Sequence, residues 1–107
     1  MAEKLRSEIR GNVALVTIDN PPANTWDADN LGALTGLMDV LNTNKEVYSL
    51  VVTGEGQKFF SAGADLNMFS SGDKVAASDM AERFGRAFEA LSHFRGVSIA
   101  GIHGYAM

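Results

Sequence analysis

Hydrophobic and polar positions alternate over the first residues of the chain, which is the period of a β-strand with one covered face. Residues 3–10 read EKLRSEIR and residues 13–18 read VALVTI, with the turn-forming pair Gly11 and Asn12 between them. This pattern predicts an opening β-hairpin. The segment NPPAN at 20–24 follows, and its prolines lack amide donors and restrict the residues before them. We expect a loop there.

Two later stretches change to the period of an amphipathic helix. Leucine and methionine recur at helical spacing after the loop, which predicts a helix over about 27–43. Thr25 or Asp27 can cap its start, and Asn44 lies near its end. A second apolar stripe predicts another helix over about 75–95, with one face packed on a sheet.

Each predicted helix is followed by a short, nearly continuous apolar run. Residues 47–54 (VYSLVVTG) and 97–102 (VSIAGI) are typical of strands buried on both faces. Two strand–helix–strand passages predict right-handed crossovers in a parallel or mixed sheet with the helices outside. The fold class is therefore α/β.

Composition narrows the class of protein. The 107 residues are 46% apolar, enough for one modest core, and the net charge of −4 includes no basic run that would bind nucleic acid or an anionic membrane surface. There is no cysteine for disulfides, thiolate metal sites or nucleophilic catalysis. The opening MAEKLRSEIRG has no secretory core, and no apolar run reaches membrane-spanning length. We expect a cytoplasmic protein.

The segment FFSAGADLNMF at 59–69 is the strongest candidate for chemistry. Its small side chains let a ligand approach the backbone, and Gly63 can adopt conformations closed to other residues. Asp65 precedes a predicted helical turn, whose first amides point outward and favour an oxyanion. Taken alone, the residues favour a structural interpretation, in which Gly63 permits a turn, Asp65 caps a helix and the phenylalanines fill the core.

Other polar residues are weaker candidates. His93 and His103 have no second histidine or carboxylate at ligand spacing, so we predict no metal site, and His103 is expected to shape its turn by bonding a backbone group. Asp65 is the motif's carboxylate and a possible general base, although an aspartate at a helix start is typically a cap. Ser61 lacks a partnered base, which favours a structural hydroxyl.

Several separated blocks together resemble the crotonase, or enoyl-CoA hydratase/isomerase, superfamily. They are VYSLVVTG at 47–54, FFSAGADL at 59–66, the long amphipathic helix, and SIAGIHGYAM at 98–107. Their order matches over essentially the whole chain. The resemblance implies a core of repeated β-β-α turns arranged as a spiral. It also implies that residues 1–107 are the amino-terminal part of a single domain whose remainder lies beyond this chain.

The resemblance assigns residues to a coenzyme A thioester site. It implies that the backbone amide of Ala64 provides half of an oxyanion hole for the thioester carbonyl. The substrate-binding residues implied in the same way are Ala23, Ala62, Ala64, Asp65, Leu66 and Asn67. The stretch at 22–24 resembles the loop that borders the coenzyme, although it is shorter and richer in proline than in many relatives. The second amide and the acidic residues would follow Met107.

The function implied by the resemblance is that of a lyase, enoyl-CoA hydratase, which converts 2-enoyl-CoA to 3-hydroxyacyl-CoA. Isomerisation or another crotonase-family reaction is an alternative, and a non-catalytic coenzyme-A-binding fragment is an alternative of another class. The 107-residue chain alone is expected to be inactive. Coenzyme A would be part of the substrate, with no permanently bound cofactor and no metal. The expected partners are an acyl-CoA thioester and copies of the chain in a trimer or hexamer, without nucleic acid or membrane.

Overall fold

Two β-β-α turns and a third pair of strands follow one another along the chain. A computed structural model describes residues 3–69 and 72–107. The elements are β1 (Leu5–Arg10), β2 (Val13–Ile18), α1 (Ala28–Thr43), β3 (Ser49–Gly54), β4 (Phe59–Ser61), a 3₁₀ turn (Leu66–Phe69), α2 (Lys74–Ser92), β5 (Val97–Ala100) and β6 (Tyr105–Ala106). The predicted hairpin, loop and helices are confirmed. The two-residue strand β6 was not predicted.

The strands form two sheets. The larger sheet has the order β1-β2-β3-β5, in which β1 and β2 are antiparallel and the pairs β2-β3 and β3-β5 are parallel. The smaller sheet pairs β4 with β6 in parallel. The pair β3 and β4 and the pair β5 and β6 therefore each place one strand in the larger sheet and one in the smaller sheet. The predicted parallel crossovers are confirmed.

The hydrophobic core lies between the larger sheet and the helices. Alternate residues of β2 and β3 are buried on one face, as the period of a strand requires. Fully buried apolar members include Ala14, Val16 and Ile18 of β2, Leu31, Leu34 and Met38 of α1, Val47, Leu50 and Ala87. Full burial of one such leucine contributes about 2 kcal/mol relative to exposure. The core therefore fixes the sheet against α1 and α2.

The predicted burial of two strands is wrong. β3 alternates between buried and half-buried residues instead of being covered on both faces. All four residues of β5, one of the two edge strands of the larger sheet, are exposed. Their apolar character made both runs resemble interior strands. Sequence alone did not reveal that, within residues 3–69 and 72–107, one face of β3 is only half-covered and β5 is exposed.

Local polar contacts fix the ends of the helices. Asp27 rather than Thr25 caps α1: its side chain accepts from the amide of Asn30, whose side chain accepts from the Asp27 amide at 2.7 Å. α2 ends at Ser92, three residues before the predicted end, because Phe94 turns into the core.

No helix within residues 3–69 and 72–107 is long and apolar enough to cross a bilayer.

Candidate functional site

The smaller sheet brings the two family-like blocks of the sequence together. Phe59 of β4 pairs with Tyr105 of β6, and Ser61 pairs with Ala106. The amide of Met107 then donates to the Ser61 carbonyl at 3.0 Å. The segment FFSAGADL therefore lies directly beside the segment GYAM, although a whole helix and a strand separate them in sequence.

A buried network holds the loop after β2 against this sheet. The Ser61 hydroxyl donates to the Asn24 carbonyl at 2.8 Å and accepts from the Gly63 amide at 3.1 Å. The Asn24 side chain donates to the carbonyls of Glu55 and Phe59, each at 3.0 Å. Asn24 and Ser61 are both buried. The predicted structural role of the Ser61 hydroxyl is confirmed.

The backbone around Ala64 is held by Trp26. The Gly63 carbonyl accepts from the Trp26 amide at 2.8 Å, and the Asp65 amide donates to the Trp26 carbonyl at 2.9 Å. Because successive backbone groups of an extended segment point to opposite sides, these bonds turn the Ala64 amide away from Trp26. That amide has no acceptor among the residues that the structure describes. It is free to donate to a ligand.

Gly63 meets two requirements at this bend. Its φ is 90°, a conformation that residues with a Cβ atom rarely adopt. A Cβ atom there would also lie 3.2 Å from the carbonyl oxygen of Met107. The bend therefore needs glycine, and the segment after β6 comes close to the residue that precedes Ala64.

The other residues assigned by resemblance surround the same bend. The Ala62 amide donates to the Ala23 carbonyl at 3.0 Å, which joins the proline loop to the motif. The Asp65 side chain accepts from the Asn67 amide at 3.0 Å, as expected for a residue that caps a turn. Leu66 is 79% exposed. The fold thus brings all of the predicted site residues to one place.

An apolar cavity of about 340 Å³ lies behind Trp26, between the larger sheet and the helices. Its lining residues are Trp26, Leu34, Val52, Phe60, Phe88, Leu91, Ser98, Ile99 and Ala100. Trp26 is 6% exposed and packs edge-on against Phe88, with 5.3 Å between ring centroids. Trp26 therefore anchors the core and also forms part of the cavity wall. The side chain of Phe69 lies outside the described part of the structure.

The side chain of His103 and the main-chain amide of His93 each contact a backbone carbonyl. The Nε2 atom of His103 lies 2.9 Å from the Gly56 carbonyl, which confirms that His103 shapes its turn through a backbone group. The backbone amide of His93 closes the end of α2 by donating to the Glu89 carbonyl at 3.0 Å. In residues 3–69 and 72–107, no three histidine or carboxylate side chains are grouped closely enough to hold a metal ion.

Sequence reasoning missed the central part played by Asn24. Its side chain contacts residues that lie more than 30 positions away in sequence, and its φ of 54° is in the left-handed region that asparagine tolerates well. The available signal was local: an asparagine directly after a proline-rich turn. Its long-range partners became visible only in the fold.

Comparisons with known proteins match nearly the whole chain. The family model for enoyl-CoA hydratase/isomerase matches residues 8–107. A protein of Bacillus subtilis named probable enoyl-CoA hydratase is 41% identical over 96 residues, which are 89% of this chain and 37% of that protein.

Solved structures match over a similar range. The structure of Pseudomonas aeruginosa DspI is 62% identical with a TM-score of 0.96, covering 99% of this chain and 40% of that one. The enoyl-CoA hydratase of Bacillus anthracis has a TM-score of 0.89 at 20% identity, covers 94% of this chain and 40% of its own, and indicates a common fold. The chain thus spans about 40% of the length of these proteins.

Proposed function

The chain belongs to the enoyl-CoA hydratase/isomerase family, the crotonase superfamily, and on this premise we propose that Ala64 provides an oxyanion-hole amide in an enoyl-CoA hydratase. The α/β fold of β-β-α turns predicted from the resemblance is confirmed by its solved neighbours. The observation that carries the proposal is the unpaired Ala64 amide, held in direction by the bonds of its neighbours to Trp26 within the described residues.

The chemistry of a thioester explains why such an amide matters. Adding water across the conjugated double bond of a 2-enoyl thioester moves negative charge onto the carbonyl oxygen in the transition state. A fixed donor stabilises that charge without reorganising, and removal of one such donor typically lowers kcat by about 10²–10³-fold. The two bonds at Trp26 favour this role because they fix the direction of the donor before substrate binds.

We assign the neighbouring residues to the coenzyme A part of the substrate. Ala62 and Ala23 join the proline loop to the motif and leave only methyl groups at the bend, which allows a ligand to approach the backbone. Asp65, Leu66 and Asn67 continue from the donor into the 3₁₀ turn, where the exposed Leu66 offers an apolar contact to pantetheine. These contacts would orient the thioester carbonyl toward Ala64.

The second donor and the acid–base groups are proposed to come from residues beyond this chain, within the same domain. The position of Met107 supports this: its amide is bonded to Ser61, and its carbonyl oxygen lies beside Gly63. A following residue would therefore emerge close to the Ala64 amide. Assembly as a trimer or hexamer, as the resemblance implies, belongs to the same proposal.

The test uses a fusion protein in which residues 1–107 are followed by the remaining part of the 62% identical solved relative. Replacing Ala64 by its α-hydroxy analogue, lactic acid, turns the amide into an ester and removes the donor with little change of shape. We expect kcat for 2-enoyl thioesters to fall about 10²–10³-fold. The same replacement at Ala28, the first residue of α1, is the matched control and should leave kcat unchanged.

The outcomes separate the alternatives. Unchanged turnover with the ester at Ala64 contradicts the assignment of the donor. Turnover of 3-enoyl but not 2-enoyl thioesters by the unmodified fusion protein would replace hydratase by isomerase. Coenzyme A binding without turnover of either thioester would favour the non-catalytic binding module.

A further inference from the structure

His103 links the two turns that lead into the smaller sheet. It is an exposed residue in the turn between β5 and β6. Its Nε2 atom lies 2.9 Å from the carbonyl of Gly56, in the loop between β3 and β4. Its Nδ1 atom lies 3.3 Å from the Thr53 hydroxyl oxygen and 3.4 Å from the Gly101 carbonyl oxygen, and the Thr53 hydroxyl donates to that same carbonyl at 2.9 Å. One imidazole thus bridges two connections that are far apart in sequence.

The partners assign the direction of the main bond. A carbonyl oxygen can only accept, so the Nε2 atom that faces Gly56 carries the proton. This hydrogen bond therefore links the turn between β5 and β6 to the loop between β3 and β4. The Thr53 hydroxyl makes the complementary contact from β3 to Gly101.

The bridge lies immediately before the paired strands. Beyond it, the Tyr105 amide donates to the Lys58 carbonyl at 2.9 Å, and a Cβ atom at Gly104 would collide with that same carbonyl. The Met107 amide then donates to Ser61. A shift of the 101–104 turn would therefore move β6 along β4 and displace the segment that reaches Gly63.

We propose that His103 is a positioning residue: by donating to the Gly56 carbonyl it fixes β6 against β4, and so fixes Met107 beside the bend that carries the Ala64 amide. The catalytic consequence rests on the proposed function, in which two backbone donors from these adjacent segments hold one oxyanion. Donors that act together must keep their spacing, and an error of about 1 Å can lower turnover about 100-fold.

Two substitutions of His103 distinguish the hydrogen bond to Gly56 from the space that the side chain fills. In His103→Asn the amide occupies the place of Nδ1 and does not reach Gly56, whereas in His103→Gln it extends to the place of Nε2. In the fusion protein we expect His103→Asn to lower kcat about 10- to 100-fold with KM within about threefold of wild type. His103→Gln should restore kcat to within about threefold. His93→Asn, an exposed histidine at the end of α2, is the matched control.

A second measurement is independent of catalysis. Amide hydrogen exchange of Tyr105 reports the bond to Lys58, and we expect it to be at least about tenfold faster in His103→Asn but not in His103→Gln. Thr53→Val should accelerate the same exchange by removing the bond to Gly101. Thr17→Val, at the paired position of β2, should leave it unchanged.

The result that overturns the proposal is a wild-type kcat and wild-type Tyr105 exchange in His103→Asn. A lower melting temperature with unchanged kcat would also overturn it, because His103 would then serve stability alone. If the unmodified fusion protein does not act on thioesters, the proposed function fails. Tyr105 exchange then still decides whether His103 positions β6.

Discussion

At the scale of single residues, Asn24 is the structural centre of the site. Its side chain donates to two carbonyls, and its side-chain oxygen accepts from the Asn20 amide at 3.1 Å. These bonds hold the proline loop, the loop after β3 and the start of β4 together. The direction of the donors matters, because a carboxylate at this position would face two carbonyl oxygens.

We therefore expect Asn24→Asp, a nearly isosteric change, to lower the free energy of unfolding of the fusion protein by about 3 kcal/mol at pH 7. Chemical denaturation followed by circular dichroism measures this. Asn42→Asp is the matched control, because the Asn42 side chain accepts from the Arg95 amide and a carboxylate can do the same. Equal loss of stability in the two variants would refute the role of the Asn24 donors.

A charged contact fixes the start of α1. Lys4 donates to the Asp27 carboxylate at 2.8 Å and also contacts Asp29 at 3.0 Å. Burial acts to raise the pKa of Asp27, but the hydrogen bonds from Lys4 and from the Asn30 amide outweigh it and hold that pKa below its ordinary value of 3.8. Ionised Asp27 therefore stabilises the fold.

Because the folded-state pKa of Asp27 is lowered, its contribution is present above pH about 4 and is lost as the pH falls through the folded-state value. Asp27→Asn keeps a capping side chain and removes the charge. We expect it to be less stable than wild type at pH 6, with a difference that narrows below pH about 4. Thermal unfolding of the fusion protein, with and without Asp27→Asn, measures this difference in stability at pH 6 and below pH about 4.

Asp29→Asn is the control for this pH dependence, because its side chain is 80% exposed and its loss leaves the contact between Lys4 and Asp27 in place. A constant difference in stability between wild type and Asp27→Asn at all pH values would show that the carboxylate charge is irrelevant.

At the scale of elements, the apolar edge strand β5 is unusual. Val97 is 62% exposed and Ile99 is 49% exposed, and the strand offers unpaired backbone groups on its outer side among the described residues. Exposed apolar edge strands promote association between chains. This edge is therefore prone to pairing with another molecule.

We expect the 107-residue chain to self-associate with increasing concentration, and Val97→Lys to reduce that association. Light scattering over a concentration series measures it. Val75→Lys makes the same change at a 77% exposed valine of α2 and should have little effect. Association of Val97→Lys at wild-type concentrations would exclude the β5 edge as the contact.

The sequence predicted the positions of helices and strands better than it predicted the burial and partners of the strands. Helical period and capping residues located α1 within one residue, because these signals are local. The exposure of β5 was missed because an apolar run has the same appearance at an edge as in the interior. β6 was missed because a two-residue strand has no period and depends on its partner β4.

At the scale of the whole molecule, the candidate site combines the two β-β-α turns and the third pair of strands. The first turn contributes the proline loop and Trp26, the second contributes the bend at Ala64, and the third pair of strands contributes β6. Resemblance predicted the motif residues and that the blocks belong together. It did not predict the bonds through Asn24, Ser61 and Trp26 that hold them, because such contacts depend on the packing of distant segments.

If residues 1–107 form part of a single domain, the fusion protein should unfold in one cooperative transition. Differential scanning calorimetry measures this, and we expect a single heat-absorption peak. Two separate transitions would show that the segment is an independent unit.

The pairing of β4 with β6 also orders the events of folding. Phe59 and Tyr105 lie on either side of α2 and β5, so their contact closes a long loop and follows the more local contacts. During synthesis, a nascent chain that has just passed residue 69 already carries the whole FFSAGADLNMF motif. The bend at Gly63, before Ala64, comes close to Met107 only when β6 has paired with β4, so binding of coenzyme A at the proposed site would report that this pairing has been completed.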